Sequence, residues 1–319
     1  MVKLIIQIPC WDEQDNLKDT LNDLPREIQG INSIETLIID DGSSDNTIKV
    51  AKKAGVNHII SLNRHKGLAR AFLSGLDTAL KLGADIIVNT DADNQYKGED
   101  IERLVRPILE NRADIVVGNR QVETVEDFSW IKKRLQKIGS WAIKVLSGIN
   151  VLDATSGFRS FSREAALGIN VISKYTYTLE TLIQAGQQQR RIEFIEIKTN
   201  RSKRKSRLVR SIPSYIGKSI VTMVRIFSFY QPLKIFCYAG SILLSLGILI
   251  GGRYFWLQFF DHSGNEHLAS LFLCITLLIT GFFLFLMGII GDQISANRHL
   301  LEDIQLRVRK IELRKREGQ

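Results

Sequence analysis

Short apolar runs alternate with helix-period segments from the first residue to about residue 230, and long uncharged runs follow. Lys3–Pro9, Glu35–Asp40, His58–Leu62, Asp85–Asp91 and Asp114–Asn119 are almost continuously hydrophobic, the pattern of strands buried on both faces. Between them Gln14–Gln29, Ser44–Ala54, Gly67–Leu82 and Gly98–Asn111 carry apolar residues at helical spacing, with Ser44 and Asp45 placed to cap the second. Glu193–Thr199 reads as a later strand. The alternation predicts an α/β domain around a mostly parallel, doubly wound, Rossmann-like sheet. Ligands of such sheets lie outside the carboxyl ends of the strands, so unusual residues are expected there.

The uncharged runs read as membrane. Leu268–Ile290 has 23 residues without a charge, and Ile235–Gly252 is a second such run of 18, extended by Tyr254, Phe255 and Trp256. At ~1.5 Å per residue the longer run reaches roughly 34 Å, against a hydrocarbon layer of ~30 Å. A buried core helix is the alternative, but runs of ~10–14 apolar residues are its usual form. Tyr230, Tyr238, Tyr254 and Trp256 lie near the run ends, where amphipathic rings suit the interface. Gln258–His267 contains no Lys or Arg, whereas the flanking segments are rich in both, which predicts both termini on the cytoplasmic side. Met1–Pro9 reads as a strand and not as a signal peptide. The expected layout is a catalytic-type domain at 1–208, an interfacial amphipathic helix at 209–232, a two-helix anchor at 233–292 and a basic cytoplasmic tail at 293–319, in the cell (inner) membrane.

Composition sharpens this picture without changing it. The chain has 319 residues, and 43 Lys and Arg against 34 Asp and Glu give a formal charge of +9. A hydrophobic content of 45% with 24% charged residues excludes disorder. Cys10, Cys237 and Cys274 cannot form a disulfide scaffold, so the soluble part fits a reducing compartment. The basic excess gathers beside the apolar runs, above all in Arg201–Arg210 with six basic residues in ten, and no nucleic-acid motif accompanies it. Trp130–Leu146 and Ser211–Phe229 mix Arg or Lys with apolar residues at helical spacing, as interface-lying or core-packed helices do. Leu301, Ile304, Val308 and Ile311 span two heptads that hint at helix pairing; a homo-oligomer, dimer or tetramer, stays open.

Acidic residues stand at the predicted strand ends. Pro9-Cys10-Trp11-Asp12-Glu13, Asp40-Asp41-Gly42-Ser43 and Asp91-Ala92-Asp93 each follow an apolar run. Carboxylates gathered there are costly unless a cation or a polar ligand meets them. No GxGxxG follows the first strand and no GxxxxGK[ST] occurs, so neither a dinucleotide fingerprint nor a P-loop binds phosphate here. Asp91 and Asp93 could instead offer hard oxygen ligands to Mg²⁺ or Mn²⁺ bridging a diphosphate; a solvated turn is the plain alternative.

Six motifs in order carry a family resemblance: P9-x-W11-x-E13, D40-D41-G42-S43-S44-D45, N63-R64-x-x-G67, D91-A92-D93-x-Q95, G118-N119-R120 and S156-G157-F158-R159. The chain resembles the family 2 glycosyltransferases of the GT-A fold. Within them it is similar to the dolichol-phosphate mannose synthase group and to bacterial polyprenyl-phosphate glucosyltransferases with two C-terminal spans. The resemblance covers residues 1 to about 208 by motif and 209–290 by layout. Trp11 stands where the family usually has Tyr or Phe, which keeps an aromatic ring.

The resemblance implies inverting transfer of a sugar from a nucleotide-sugar donor to an undecaprenyl-type polyprenyl phosphate at the cytoplasmic membrane face. UDP-glucose is the first choice of donor and GDP-mannose the second. By the same carry-over Asp93 with Asp91 holds the metal, Pro9, Trp11, Glu13 and Asp40 surround nucleobase and ribose, and Gln95 and Arg201 lie near the donor. Asp41 and Asp45 either shape turns or touch ligand. Arg120 and Arg134 match arginines that bind lipid phosphate, and Ser206 and Arg207 match the acceptor loop. Ile138 and Lys205 replace a family Ser and Gly beside them. Asp153 is either an acid at the reacting centre or a turn residue. A lipid monophosphate, with a second pKa of about 6, is already largely dianionic, so it calls for cations such as the Arg fork more than for a base. Two rivals remain. A processive polysaccharide synthase fits poorly because Gln188-Gln189-Arg190-Arg191-Ile192 lacks the Trp of its QxxRW helix. A non-catalytic membrane scaffold that binds nucleotide sugar sits poorly with Asp91, Asp93 and Arg120 all present.

Overall fold

The computed structural model describes residues 1–120, 144, 148–149, 151–171, 177–200, 225, 230–261 and 268–317. The chain divides into two compact units, Met1–Ile216 with Asp303–Gln319, and Gly217–Glu302. The predicted interfacial segments Trp130–Leu146 and Ser211–Phe229 and the basic run Arg201–Arg210 lie almost wholly outside the described residues.

The first unit is built on a seven-stranded sheet: β1 (Lys3–Cys10), β2 (Ser33–Asp40), β3 (His58–Ser61), β4 (Ile86–Asn89), β5 (Ile115–Asn119), β6 (Arg159–Ser162) and β7 (Ile192–Glu196), in the order β3-β2-β1-β4-β6-β5-β7. All neighbours pair parallel except β6, which runs antiparallel between β4 and β5. Helices α1 (Leu17–Asp23), α2 (Thr47–Lys53), α3 (Leu68–Lys81) and α4 (Asp100–Leu109) connect the first five strands, and α5 (Arg163–Gly168) and α6 (Thr178–Gln187) follow β6. The period-2 alternation of β1 sorts its side chains: Leu4, Ile6 and Ile8 enter a core shared with Leu17, Ile101, Leu104 and Val105, while Gln7 turns to α3 at Gly75. Each fully buried Leu or Ile contributes ~1.5–3 kcal/mol.

Two local readings are corrected. The helix predicted over Gln14–Gln29 stops at Asp23, because Leu24 precedes Pro25 and is driven to an extended conformation. Ser44 does not cap α2; its N–H and hydroxyl donate to the Asp12 carboxylate, and Asp45 alone accepts the Thr47 N–H at 2.9 Å.

Pro9 explains itself in this sheet. The Gln7 carbonyl accepts from Thr90 beside β4 and the Cys10 carbonyl from Asp41 beside β2, so by alternation the missing Pro9 N–H faces the β4 side. The β1–β4 ladder has ended there, at Gln7 opposite Asn89. The sheet order reverses between β1 and β4, which makes their carboxyl ends the topological switch point.

The second unit is a helical hairpin. Helix α7 (Pro232–Trp256) continues into a π-turn at Leu257–Asp261, and α8 (Leu268–Glu317) is one unbroken helix through the span and the predicted tail. At ~1.5 Å per residue these reach roughly 37 and 75 Å. Both helices are long and apolar enough to cross a membrane. Their seam is made of small residues. A side chain at Gly240 would meet the Gly281 carbonyl at 2.9 Å, and one at Gly251 the Cys274 sulfur at 2.8 Å. Cys274, Gly281, Gly288 and Ser295 recur every seventh residue, so close backbone approach is kept along α8, as in membrane helix pairs. The outward residues, Tyr238, Ile242, Leu249, Phe272, Phe283 and Ile290 among them, are apolar and exposed. The last turns of α8 belong to the first unit, where Arg309 donates to the Leu167 and Ile169 carbonyls at the end of α5.

Candidate functional site

The loops after β1 and β2 are laced together. The Asp12 N–H donates to Ser43 Oγ at 2.9 Å, the Glu13 N–H to Thr47 Oγ1 at 2.8 Å and the Gln14 N–H to Asp45 at 3.1 Å. Asp12 sits at φ +52°, a left-handed turn that a short polar residue tolerates. Glu13 and Asp40 are buried at this edge; Asp40 accepts the Ser43 N–H, and Glu13 accepts from Asn16 Nδ2.

Asp41 organises the next loop. Its carboxylate accepts the N–H groups of Lys66 and Gly67 at 2.7 and 2.8 Å and lies 2.9 Å from His65 Nδ1. Gly42, at φ +72°, passes so close to the Arg64–His65 backbone that a Cβ would stand 2.8 Å from it. The result is a stacked pair: the Trp11 and His65 rings lie 4.2 Å apart at 28°, with Trp11 40% exposed. A planar ring partly open to solvent can stack on another planar ring.

The loop after β4 brings the metal candidates. Asp91 and Asp93 are half-buried, and Asp93 accepts the Gln95 N–H at 3.1 Å. Burial, and next the charge of Asp93, lift the Asp91 carboxyl from 3.8 to about 7; Arg120 pulls it down and Glu13 adds to the rise. A carboxylate so placed gains when a cation arrives. Among the described residues no three His, Cys, Asp or Glu side chains are grouped to hold a metal by themselves. The donor set is therefore two hard oxygens, which fits a cation that takes its other ligands from a diphosphate and water. The turn is braced from outside by Asn200, whose N–H donates to the Gln95 carbonyl and whose Nδ2 donates to the Asn94 carbonyl.

Arg120, just past β5, is gripped by Asp153. Nε and Nη2 donate to the two Asp153 oxygens at 2.8 and 3.1 Å, and Nη2 also donates to Thr155 Oγ1 at 2.7 Å. Asp153 is fully buried and accepts the Thr155 and Ser156 N–H groups as well. Burial pushes its carboxyl up, but the Arg120 bond and charge outweigh it and hold the group below the usual carboxylate range. Among the described residues Nη1 of Arg120 has no partner, so that end of the fork can take an anion.

The structure thus brings Pro9, Trp11, Glu13, Asp40, Asp91, Asp93, Gln95, Arg120 and Asp153 to the carboxyl ends of β1, β2, β4 and β5 and the turn before β6. Arg134, Arg201, Ser206 and Arg207 lie outside the described residues. Sequence reasoning missed the residues beneath this edge. Arg159 is fully buried, and its guanidinium donates to the carbonyls of Ala154, Ser156 and Thr178 and to Thr181 Oγ1. Without a bonded carboxylate, its burial drops its pKa to about 10. It ties the turn that carries Asp153 to the start of α6. Its place in the S156-G157-F158-R159 motif was the available signal.

Comparison with known proteins bears on the family and the fold. Residues 5–168 match the family model "Glycosyl transferase family 2", and residues 231–296 match "GtrB C-terminal hairpin". The UDP-N-acetylglucosamine–dolichyl-phosphate N-acetylglucosaminyltransferase of Methanococcus voltae is 32% identical over 217 residues, 60% of this chain and 83% of that one. The undecaprenyl-phosphate mannosyltransferase of Micrococcus luteus is 25% identical over 240 residues, 70% of this chain and 93% of that one. Among solved structures, glucosyl-3-phosphoglycerate synthase from Mycobacterium tuberculosis, in complex with Mn²⁺, UDP and glucosyl-3-phosphoglycerate, superposes with a TM-score of 0.57 at 16% identity. It covers 71% of this chain and 78% of its own, a likeness that establishes the fold.

Proposed function

The chain belongs to glycosyl transferase family 2 and is a glycosyltransferase of the GT-A fold, and from that premise we propose that it transfers a sugar to the phosphate of a polyprenyl lipid at the cytoplasmic face of a membrane, with inversion and with the help of a divalent cation. UDP-glucose is the proposed donor and GDP-mannose the second choice. The observation that carries the reading is the meeting of an acidic edge at Asp91 and Asp93 with the Asp153-braced Arg120, in a chain that also matches the GtrB C-terminal hairpin.

The chemistry needs few actors. Trp11 and His65 receive the nucleobase, and the buried acids Glu13 and Asp40 lie where a ribose follows. Asp91 and Asp93 would hold Mg²⁺ or Mn²⁺, which when bound neutralises charge on the leaving nucleoside diphosphate. The acceptor's dianionic phosphate oxygen attacks the anomeric carbon from the face opposite the breaking C–O bond. The electron pair of that bond departs with the diphosphate, and no proton need be removed. Arg120 offers Nη1 to the incoming phosphate while Asp153 keeps the guanidinium from turning away. Arg134, Arg201, Ser206 and Arg207 are proposed to complete the two phosphate sites. A phosphate borne by a prenyl chain stays at the membrane surface, which accounts for an α7–α8 hairpin on a glycosyltransferase.

The test is transfer of labelled sugar into organic-extractable lipid by the purified full chain with undecaprenyl phosphate. A donor panel of UDP-glucose, GDP-mannose and UDP-N-acetylglucosamine is run with and without chelator. Lipid-linked glucose that disappears with EDTA is expected. No transfer from any donor would favour the non-catalytic scaffold.

A further inference from the structure

A buried polar network lies directly beneath Asp91. Asn89 Nδ2 donates to the Gly157 carbonyl at 2.8 Å and to Tyr177 Oη at 2.9 Å, while Asn89 Oδ1 accepts from Gln7 Nε2 at 2.9 Å. Tyr177 Oη donates to the same Gly157 carbonyl at 3.3 Å. On the other side, the Gly157 N–H donates to Tyr96 Oη at 3.2 Å. Both hydroxyls are aimed by stacking: Tyr177 lies 3.8 Å from Phe72 at 6°, and Tyr96 lies 4.8 Å from Phe158 at 8°. All of these side chains are buried. Gly157 is the floor of the site. A Cβ there would stand 3.1 Å from both Asp91 oxygens and 3.0 Å from Tyr177 Oη, so the carboxylate rests against the glycine with its two oxygens equally near.

An apolar core would fill this volume without the hazard of half-satisfied polar groups, and Gln7 Oε1 is buried here without a hydrogen-bond partner among the described residues, so a polar network in this place asks for a reason. We propose that Tyr96, Tyr177 and Asn89 are positioning residues that clamp the Gly157 peptide and so fix the Asp91 carboxylate where a divalent cation meets it. The inference rests on the reading of Asp91 and Asp93 as cation ligands. Burial keeps both phenols protonated, Tyr96 up at about 12, so the clamp does not change with working pH.

The experiment titrates Mn²⁺ into the full chain in detergent micelles, following the free-ion EPR signal with and without UDP, beside a thermal unfolding curve. Tyr177→Phe and Tyr96→Phe each remove one clamp bond and are expected to weaken Mn²⁺ binding about fivefold, the equivalent of one hydrogen bond. Gly157→Ala lifts the carboxylate and should weaken it by about tenfold or more. Ser160→Ala loses a buried bond to the Leu104 carbonyl, 2.6 Å long, and should lower the unfolding temperature while leaving Mn²⁺ binding unchanged. If the Phe variants and Gly157→Ala bind Mn²⁺ like the wild type while Asp93→Asn does not, the clamp is overturned and the metal reading stands. If Asp93→Asn binds as the wild type does, both fall. Should Gly157→Ala fail to fold, the two Phe variants decide.

Discussion

Replacing Asp91 by Asn should stabilise the metal-free protein while destroying its cation site. Burial first, then the negative charge of Asp93, hold the Asp91 carboxyl at about 7 instead of 3.8, against the pull of Arg120 and with a further push from Glu13. The unfolded chain releases this proton near its ordinary value. Between 3.8 and about 7 the folded chain therefore binds more protons than the unfolded chain, and stability falls as the pH rises through that window. At ~1.4 kcal/mol per pH unit the full cost above pH 7 is about 4 kcal/mol, and partial exposure of the carboxylate brings the expected figure to roughly 2–4 kcal/mol. Asn carries no charge, so the variant escapes the fall. The assay is denaturant unfolding of the wild type and Asp91→Asn in EDTA across pH 4–8, where groups common to both cancel in the difference. The two should nearly coincide at pH 4 and separate by ~2–4 kcal/mol at pH 8, with the variant more stable. Mn²⁺ should then stabilise only the wild type, its affinity rising up to about tenfold per pH unit until pH 7 and levelling above. A variant no more stable than the wild type at pH 8, or an Mn²⁺ affinity flat from pH 6 to 8, would refute the reasoning.

Three other substitutions probe the remaining parts. Arg120→Ala strands the buried Asp153 carboxylate, so the domain should lose about 3–5 kcal/mol and the apparent KM for prenyl phosphate should rise; an equal loss of nucleotide binding in calorimetry would reject the acceptor role. Trp11→Ala removes the ring stacked on His65 and should weaken UDP binding by about tenfold, within the ~1–3 kcal/mol of a base-aromatic stack; unchanged affinity would move the nucleobase elsewhere. Gly240→Leu drives a side chain into the Gly281 carbonyl, and SDS titration followed by circular dichroism should show a hairpin weakened by ~1–3 kcal/mol; an unchanged midpoint would contradict the close packing.

What the sequence disclosed of the fold follows from which residues act alone. Strands β1, β4 and β5 and the second half of β2 are buried on both faces and had to be mostly apolar, so their runs announced them. Strand β6 is Arg-Ser-Phe-Ser, and its central place in the sheet depends on partners far away in sequence: Arg159 is satisfied by carbonyls of the preceding turn and of α6, and Ser160 by Leu104 on α4. No local pattern encodes such a strand, so the expected sheet had every strand of the right kind except the antiparallel one at its middle. The tail is helical as well: nothing between Gly291 and Glu317 breaks a helix, and α8 runs on through Leu301, Ile304, Val308 and Ile311, whose spacing hinted at helix pairing.

The site divides along the same line. Acids at strand ends were visible because charge beside an apolar run is expensive, and the topology then fixed where they meet: β1 and β4 lie side by side, and the strand order reverses between them. The residues that set the geometry were not visible as such. Gly157 stood within a motif, and nothing in the local sequence singled out Tyr96, Tyr177 or Asn89. Each is unremarkable in its own neighbourhood, since one lies on β4, one follows Asp93, one opens α6 and one precedes β6. Only the fold joins them into a chain of hydrogen bonds that ends against the Asp91 carboxylate. Ligand-touching residues reveal themselves by local cost, whereas residues that aim them reveal themselves only by contact. A search for function in related chains gains most by asking what lies under each strand-end acid.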